Sequence, residues 1–275
     1  MVKVLKTVLL YAVLGLCVAI FITPFLWMLQ ASVKNTAQIF AFPPKLLPNP
    51  VIWRNYIRAW TAVPLARYYL NSIIVAGSVA FAQVVTSAMA AYVFARLSFP
   101  FKNVIFVFFL AIMMIPTQVT VIPLFIIVKT LGLIDTYGAL ILPFLAYPFG
   151  TFLLRQFFLT IPREIEDAAR ADGCPRLRIL VQIIAPLSRS ALVTLGMLAF
   201  MFIWNSFFWP LLVTNTEKHY TIQVGLAMLR TQLIMEVDWG LLMAATVISI
   251  LPVLIFYVFA QKQIIKGITL TGLKM

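Results

Sequence analysis

The chain has 275 residues, of which 63% are hydrophobic and 11% charged, against about 25% charged in soluble domains. That composition excludes a soluble globular fold and identifies an integral membrane protein. A formal net charge of +13 would suggest nucleic acid for a soluble chain, but in a membrane protein such an excess flanks the spans on the cytoplasmic side; membrane lipid is the expected partner and nucleic acid is not.

Six segments reach the roughly 20 apolar residues that cross about 30 Å of hydrocarbon: 8–29, 69–94, 104–128, 138–158, 190–212 and 240–260. The first is longer than a signal-peptide core and no small-x-small site follows, so it is read as the first span. Leu16 before Cys17 is too bulky for a lipoprotein processing site, and Cys174 falls in an inner loop; no disulfide is expected. Six spans put both termini on one side. With the N-terminus inside, 13 of the 21 Lys and Arg residues flank inner segments and 8 face out. Five of those 8 sit in one long outer loop, whereas the inner loop 95–103 and both tails are short, so charge density favours cytoplasmic termini.

The outer loop 30–68, with Pro43-Pro44, Pro48-Asn-Pro50, Trp53 and Trp60, reads as turns and short interfacial helices. Proline recurs within or at the ends of spans, at Pro24, Pro116, Pro123, Pro143, Pro148, Pro210 and Pro252. Each removes a backbone donor and is expected to kink or break its helix. No Asp, Glu, Lys, Arg or His lies centrally in a span, which weighs against ion-coupled carriage. The single histidine, His219, and Asp135 fall in outer loops.

A phosphate-cradling loop needs Gly-Lys, and that dipeptide does not occur. Metal-ligand clusters and catalytic constellations are absent too, so no catalytic residue, no metal and no cofactor is assigned to this chain. Any ATP that drives it is hydrolysed elsewhere.

Residues 162–187 form the one long charged stretch between two spans, with Glu164, Glu166, Asp167 and Asp172. Pro162 suits a helix start, and the acidic residues sit where the dipole favours negative charge. Ile165, Ala168 and Ala169 follow at i, i+3 and i+4 as a small apolar face. Gly173 can end the helix in the left-handed conformation and Pro175 can open the next. Arg163, Glu166 and Arg170 would then face water or a partner. Periodicity alone equally allows an ordinary amphipathic loop lying on lipid headgroups.

Asp167-Ala-Ala-Arg-Ala-Asp-Gly173, followed by Ile183-Ile-Ala-Pro-Leu187, resembles the EAA loop of membrane subunits in bacterial binding-protein-dependent ABC importers. Asp167 replaces that pattern's glutamate and Ala185 its leucine. The resemblance extends through Ser32-Val-Lys34, Asn55-Tyr56, Asn71-Ser72, Ala91-Tyr-Val-Phe-Ala-Arg-Leu97, Leu131-Gly-Leu-Ile-Asp-Thr136, Trp204-Asn205 and Trp209-Pro-Leu-Leu212. It ends on Gly267-Ile-Thr and Gly272-Leu-Lys, as in carbohydrate-type permeases.

What the resemblance implies is an all-α membrane protein of six kinked helices, a type I importer permease-like bundle in the bacterial inner membrane. A single domain, 1–275, would carry a coupling loop at 159–189. Its partners would be a second related permease, two cytoplasmic ATP-binding subunits that hold ATP and Mg, and an extracytoplasmic solute-binding protein. Glu164, Ile165, Glu166, Asp167, Ala168, Ala169, Arg170, Asp172 and Gly173 would dock the ATPase. Trp204, Asn205 and Trp209 are candidates for the path of a sugar or glycerol-phosphate solute, through ring stacking and hydroxyl bonding. The competing readings are a self-sufficient secondary carrier or facilitator and, less favoured, a membrane enzyme.

Overall fold

A computed structural model describes the backbone of residues 2–232 and 237–272, and side chains over 3–230 and 237–262. The side chains of the C-terminal pattern Gly267-Ile-Thr, and Leu273-Lys274 entirely, lie outside the described residues. Every regular element among those described is helical. Two compact units divide the chain: residues 1–66 with 225–251, and 67–224 with 252–275.

The first unit opens with α1 (Val2–Ser32), whose most apolar 18 residues have a mean hydropathy of 2.5, none of them buried. A helix apolar on all sides is one built for lipid or for another chain. Pro24 lies inside it without ending it. The outer loop then forms the expected short helices, α2 (Thr36–Ile39) and α3 (Arg54–Ala62). Asn35 caps α2, accepting from the Gln38 N–H while Gln38 Oε1 accepts from the Asn35 N–H.

The end of α1 leaves carbonyls without helical donors, and a buried asparagine supplies them. Asn55 Nδ2 donates to the Ser32 and Lys34 carbonyls at 3.0 and 2.8 Å. Lys34, also buried, donates from Nζ to Gln30 Oε1 and to the Lys45 carbonyl; desolvation lowers its pKa from the ordinary lysine value. Asp238 caps the last helix of the chain, accepting from the Leu241 N–H, and pairs with Arg58 at 2.7 Å.

In the second unit α4 (Leu65–Arg96) is a continuous span, and α15 (Trp239–Gly272) runs from the first unit into the second, with Pro252 inside it. The remaining expected spans are not straight. The segment expected at 104–128 is α5 (Lys102–Ala111), a 3₁₀ turn at Ile112–Met114 and α6 (Thr117–Thr130), bent by 96°. Pro116 forces this: Ile115 before it is extended at ψ 117°, as proline's ring demands of its predecessor.

The 138–158 segment is α7 (Tyr137–Ile141), a 3₁₀ turn and α8 (Pro148–Leu159), bent by 41°. The segment expected at 190–212 is interrupted. Its first helix begins at Arg189, stops at Trp204 and resumes only at Phe208. Among the described residues three helices are long and apolar enough to cross a membrane, and counting each bent pair as one span, the last being 176–187 with 189–204, gives up to six.

The inner core of this unit gathers Ala91, Tyr92 and Ala95 from α4 with Leu154 and Phe158 from α8. Ala169, Ile179, Ile184 and Leu195, from further along the chain, complete it. The charged inner loop is thus rooted in the same core as the spans on either side of it.

In the first unit, Gly240 in α15 lies so close to the α1–α2 turn that a Cβ there would sit 2.0 Å from the Lys34 carbonyl oxygen and 2.7 Å from Asn55 Nδ2. Gly240→Ala is therefore expected to cost about 1–3 kcal/mol through overpacking, whereas Gly77→Ala, with nothing within 4 Å, is not. Thermal melting of both variants in detergent checks this, with a lowered Tm for the first alone.

Candidate functional site

The charged inner stretch folds as a helix, a glycine break and a second helical segment: α9 (Arg163–Ala171), Gly173 at φ +78°, then α10 (Arg176–Ile179). A π-helical turn at Leu180–Ile184 and α11 (Ala185–Leu187) carry the chain to Ser188, where it bends by 86° into α12 (Arg189–Trp204). Pro162 lies just before α9, and Glu164 and Glu166 occupy its first turn. The C-terminus closes with two bonds, Gly173 N–H to the Arg170 carbonyl and Cys174 N–H to the Ala169 carbonyl. That pairing needs a left-handed residue at 173, which glycine adopts without strain.

The helix presents two faces. Glu164, Ile165, Asp167, Ala168, Arg170, Asp172 and Gly173 are exposed, and Asp167 and Arg170 lie 3.9 Å apart. Glu166 and Ala169 are buried. The expectation that Glu166 faces water or a partner is corrected here. Its carboxylate turns inward to the Arg96 guanidinium at the inner end of α4, with both side chains under 10% exposed. Ala169 leaves the expected Ile165–Ala168–Ala169 face for the same reason: it shares an inward stripe with Glu166, three residues earlier.

Around that ion pair the bonds converge. Tyr92 donates its hydroxyl to the second Glu166 oxygen at 3.3 Å, and Arg96 Nη2 donates to the Ile161 carbonyl at 2.9 Å, where α8 gives way to α9. Arg155 of α8 donates from Nε to the Phe94 carbonyl and lies over the Phe106 ring of α5 at 4.2 Å. Sequence reading assigned no role to Tyr92, Arg96 or Arg155 beyond charge counting. The signal was present, since an arginine at the end of an otherwise apolar helix needs a partner, but the partner's identity was not.

Arg96, Arg163, Arg170 and Arg176 line a hollow of about 100 Å³ beside α9. Beyond it, Leu177 and Val181 are 65% and 59% exposed, large apolar side chains one helical turn apart on the loop's free surface.

The three solute-path candidates fare differently. Trp204 is buried, stacked on Phe200 at 5.5 Å and edge-on to Tyr69 at 5.6 Å. Trp209, in α13 (Phe208–Val213), is buried and donates its indole N–H to the Ala139 carbonyl. Both side chains are occupied within the unit. Asn205 is exposed in the interruption between α12 and α13, and with Met201, Phe202 and Ser206 lines an open cavity of about 450 Å³. Non-helical backbone at membrane depth is tolerated where it lines protein or a water-filled cavity.

Removing one partner of a buried ion pair strands the other's charge. Glu166→Ala is expected to lower stability by about 3–5 kcal/mol, and Arg96→Met with Glu166→Leu to recover much of that. Tm values of the single and double variants, completed as a double-mutant cycle, test the pair.

Residues 83–270 match the family model described as the binding-protein-dependent transport system inner membrane component. The chain is 33% identical to the diacetylchitobiose uptake system permease protein NgcG of Streptomyces coelicolor, over 94% of this chain and 86% of that one. It is 33% identical to the sn-glycerol-3-phosphate transport system permease protein UgpE of Brucella abortus, over 94% of each. Among solved structures, a bacterial ABC transporter involved in the import of the acidic polysaccharide alginate superposes with a TM-score of 0.83 at 24% identity, over 94% of this chain and 96% of that one. The family match spans more than half of the chain and the two relatives are similar over nearly all of it: the protein belongs to the family of binding-protein-dependent transport system inner membrane components.

Proposed function

We propose that this chain is the permease half of a sugar importer, and that α9 couples it to a cytoplasmic ATPase. The observation that carries this reading is the division of α9 into two faces. Glu166 and Ala169 bind it to α4 and the core, while Ile165, Ala168 and the acidic residues Glu164, Asp167 and Asp172 are left outward. A helix anchored on one side and open on the other transmits a push. Closure of two ATP-binding subunits over ATP and Mg would move α9, and through the Arg96–Glu166 pair the inner end of α4, exchanging outward for inward access. ATP drives this only to the extent that it binds one state better than the other.

The solute class follows from the relatives, an uptake permease for diacetylchitobiose and one for sn-glycerol-3-phosphate. Both solutes carry hydroxyls, which suit the Asn205 amide and Ser206 hydroxyl beside the open cavity. The buried Trp204 and Trp209 hold that segment in place rather than stack on a ring. A second permease would complete the path and an extracytoplasmic binding protein would deliver the solute. A self-sufficient carrier is the weaker reading, since family membership favours a subunit.

Ala168→Trp would place a large ring on the outward face, and Gly173→Pro cannot adopt φ +78°. Both are expected to abolish co-purification of the ATPase while membrane insertion persists. Asp167→Lys reverses an exposed charge on the same face and should lower solute-stimulated ATP hydrolysis about tenfold, the effect of losing one charge-assisted contact. Wild-type recovery of the ATPase by both bulky variants would remove the docking assignment.

In proteoliposomes, labelled diacetylchitobiose or glycerol 3-phosphate should accumulate only when the second permease, ATPase, loaded binding protein and ATP are all present. Accumulation by this chain alone under a proton or sodium gradient would instead establish the carrier.

A further inference from the structure

On the outer side of the second unit, two loops far apart in sequence are joined by a single carboxylate. Asp135 sits between α6 and α7 in the left-handed conformation, φ +59°, and its own N–H donates to the Val213 carbonyl at 2.8 Å. Its Oδ1 accepts the Asn215 and Thr216 N–H groups at 3.0 and 3.2 Å, and its Oδ2 accepts the Thr216 hydroxyl at 2.7 Å.

The chain's only histidine completes the arrangement. His219 is buried, its ring edge-on to Tyr137 at 5.3 Å, and its Nδ1 faces Asp135 Oδ1 at 3.4 Å. Tyr137 donates its hydroxyl to Asn71 Oδ1, and Asn71 Nδ2 donates to the Lys218 and Tyr220 carbonyls on either side of His219. The imidazole is therefore held in place whatever its charge.

We propose that Asp135 and His219 are a positioning pair that braces the outer loop between α13 and α14 (Ile222–Gln232), and that external acid tightens the brace. At 3.4 Å the two groups are beyond a good N–H···O bond, so charge decides the contact. A neutral ring contributes little. An imidazolium places a positive charge and an N–H against a carboxylate that already holds the loop by three bonds.

Burial alone would raise the Asp135 carboxyl, but the Thr216 hydroxyl, the Asn215 and Thr216 N–H groups and His219 together hold it below the ordinary carboxylate range. It stays ionised from pH 5 to 8, where imidazole is the side chain that ordinarily changes charge. The sign follows: protonation strengthens the brace as pH falls, and loss of the proton weakens it as pH rises. The other titratable groups near the ring are Tyr137 of α7, Glu217, Lys218 and Tyr220 of its own loop, and Arg67 and Tyr68 of α4. Asp135 is the carboxylate in an ion pair with Nδ1 among the described residues.

Hydrogen exchange of the Asn215 and Thr216 amides, in the full chain in lipid nanodiscs, reads the brace directly. After correction for intrinsic chemistry, exchange should slow about threefold from pH 8 to pH 6, a shift within reach of one partly screened ion pair. His219→Gln should abolish that slope while the amides stay protected. Thr216→Val, which removes only the hydroxyl bond, should raise exchange modestly at both pH values, and Asp135→Asn should raise it strongly. A wild-type slope in His219→Gln would overturn the proton dependence. Unchanged exchange in both Asp135→Asn and Thr216→Val would overturn the brace.

Discussion

The arrangement at the inner face depends on one buried ion pair. Arg96 ends a helix of 32 residues whose interior is apolar, and it turns its charge into the protein instead of out to water. That is costly unless the guanidinium is fully engaged. Glu166 and the Ile161 carbonyl engage it, and in doing so fix the start of α9 against the end of α4. Remove the pair and α9 retains only Ala169 and a few apolar neighbours as inward contacts. The π-helical turn and the sharp bend at Ser188 then follow as the path the chain takes from that fixed helix back into a span.

The outer side is held in a different way. In the first unit Asn55 and Lys34 satisfy carbonyls at the end of α1, and Asp238 both caps α15 and pairs with Arg58. In the second, Asp135 gathers the donors of a distant loop. Both are polar networks at helix ends and connections, where backbone groups lack helical partners. They leave the span interiors free of charge.

The apolar helices and the short charged helix α9 were legible in the sequence because each rests on a local property: run length, dipole-matched acidic residues, a glycine where a left-handed residue was required. The inward turn of Glu166 was not. Periodicity says which residues share a face, but not which face meets the core, and Arg96 lies far back along the chain. Each proline was expected to kink or break its helix, yet Pro24, Pro123 and Pro252 sit inside helices that continue past them whereas the chain turns by 96° at Pro116. The residue type is the same; the difference is the extended Ile115 and the 3₁₀ turn before it. Trp204 and Trp209, singled out for a solute path, are both buried and packed, and an aromatic ring with a polar edge fits a core as well as a sugar site. Asp135 passed as a loop carboxylate because its donors, two of them backbone N–H groups, carry no sequence signature.

Several ties in the second unit run from a side chain to a carbonyl: Arg96 to Ile161, Arg155 to Phe94, Asn71 to Lys218 and Tyr220, Trp209 to Ala139, and also Gln83 to Phe144. A carbonyl is supplied by every residue alike. Each such tie therefore constrains one position of the chain and leaves its partner free to drift, provided the backbone stays where it is. Paired substitution between relatives would carry no trace of these contacts, and the bonds themselves ask nothing of the side chains at 94, 139, 144 and 161. The Arg96–Glu166 and Arg58–Asp238 pairs are of the other kind. There both members are side chains, so a change in either demands a change in the other.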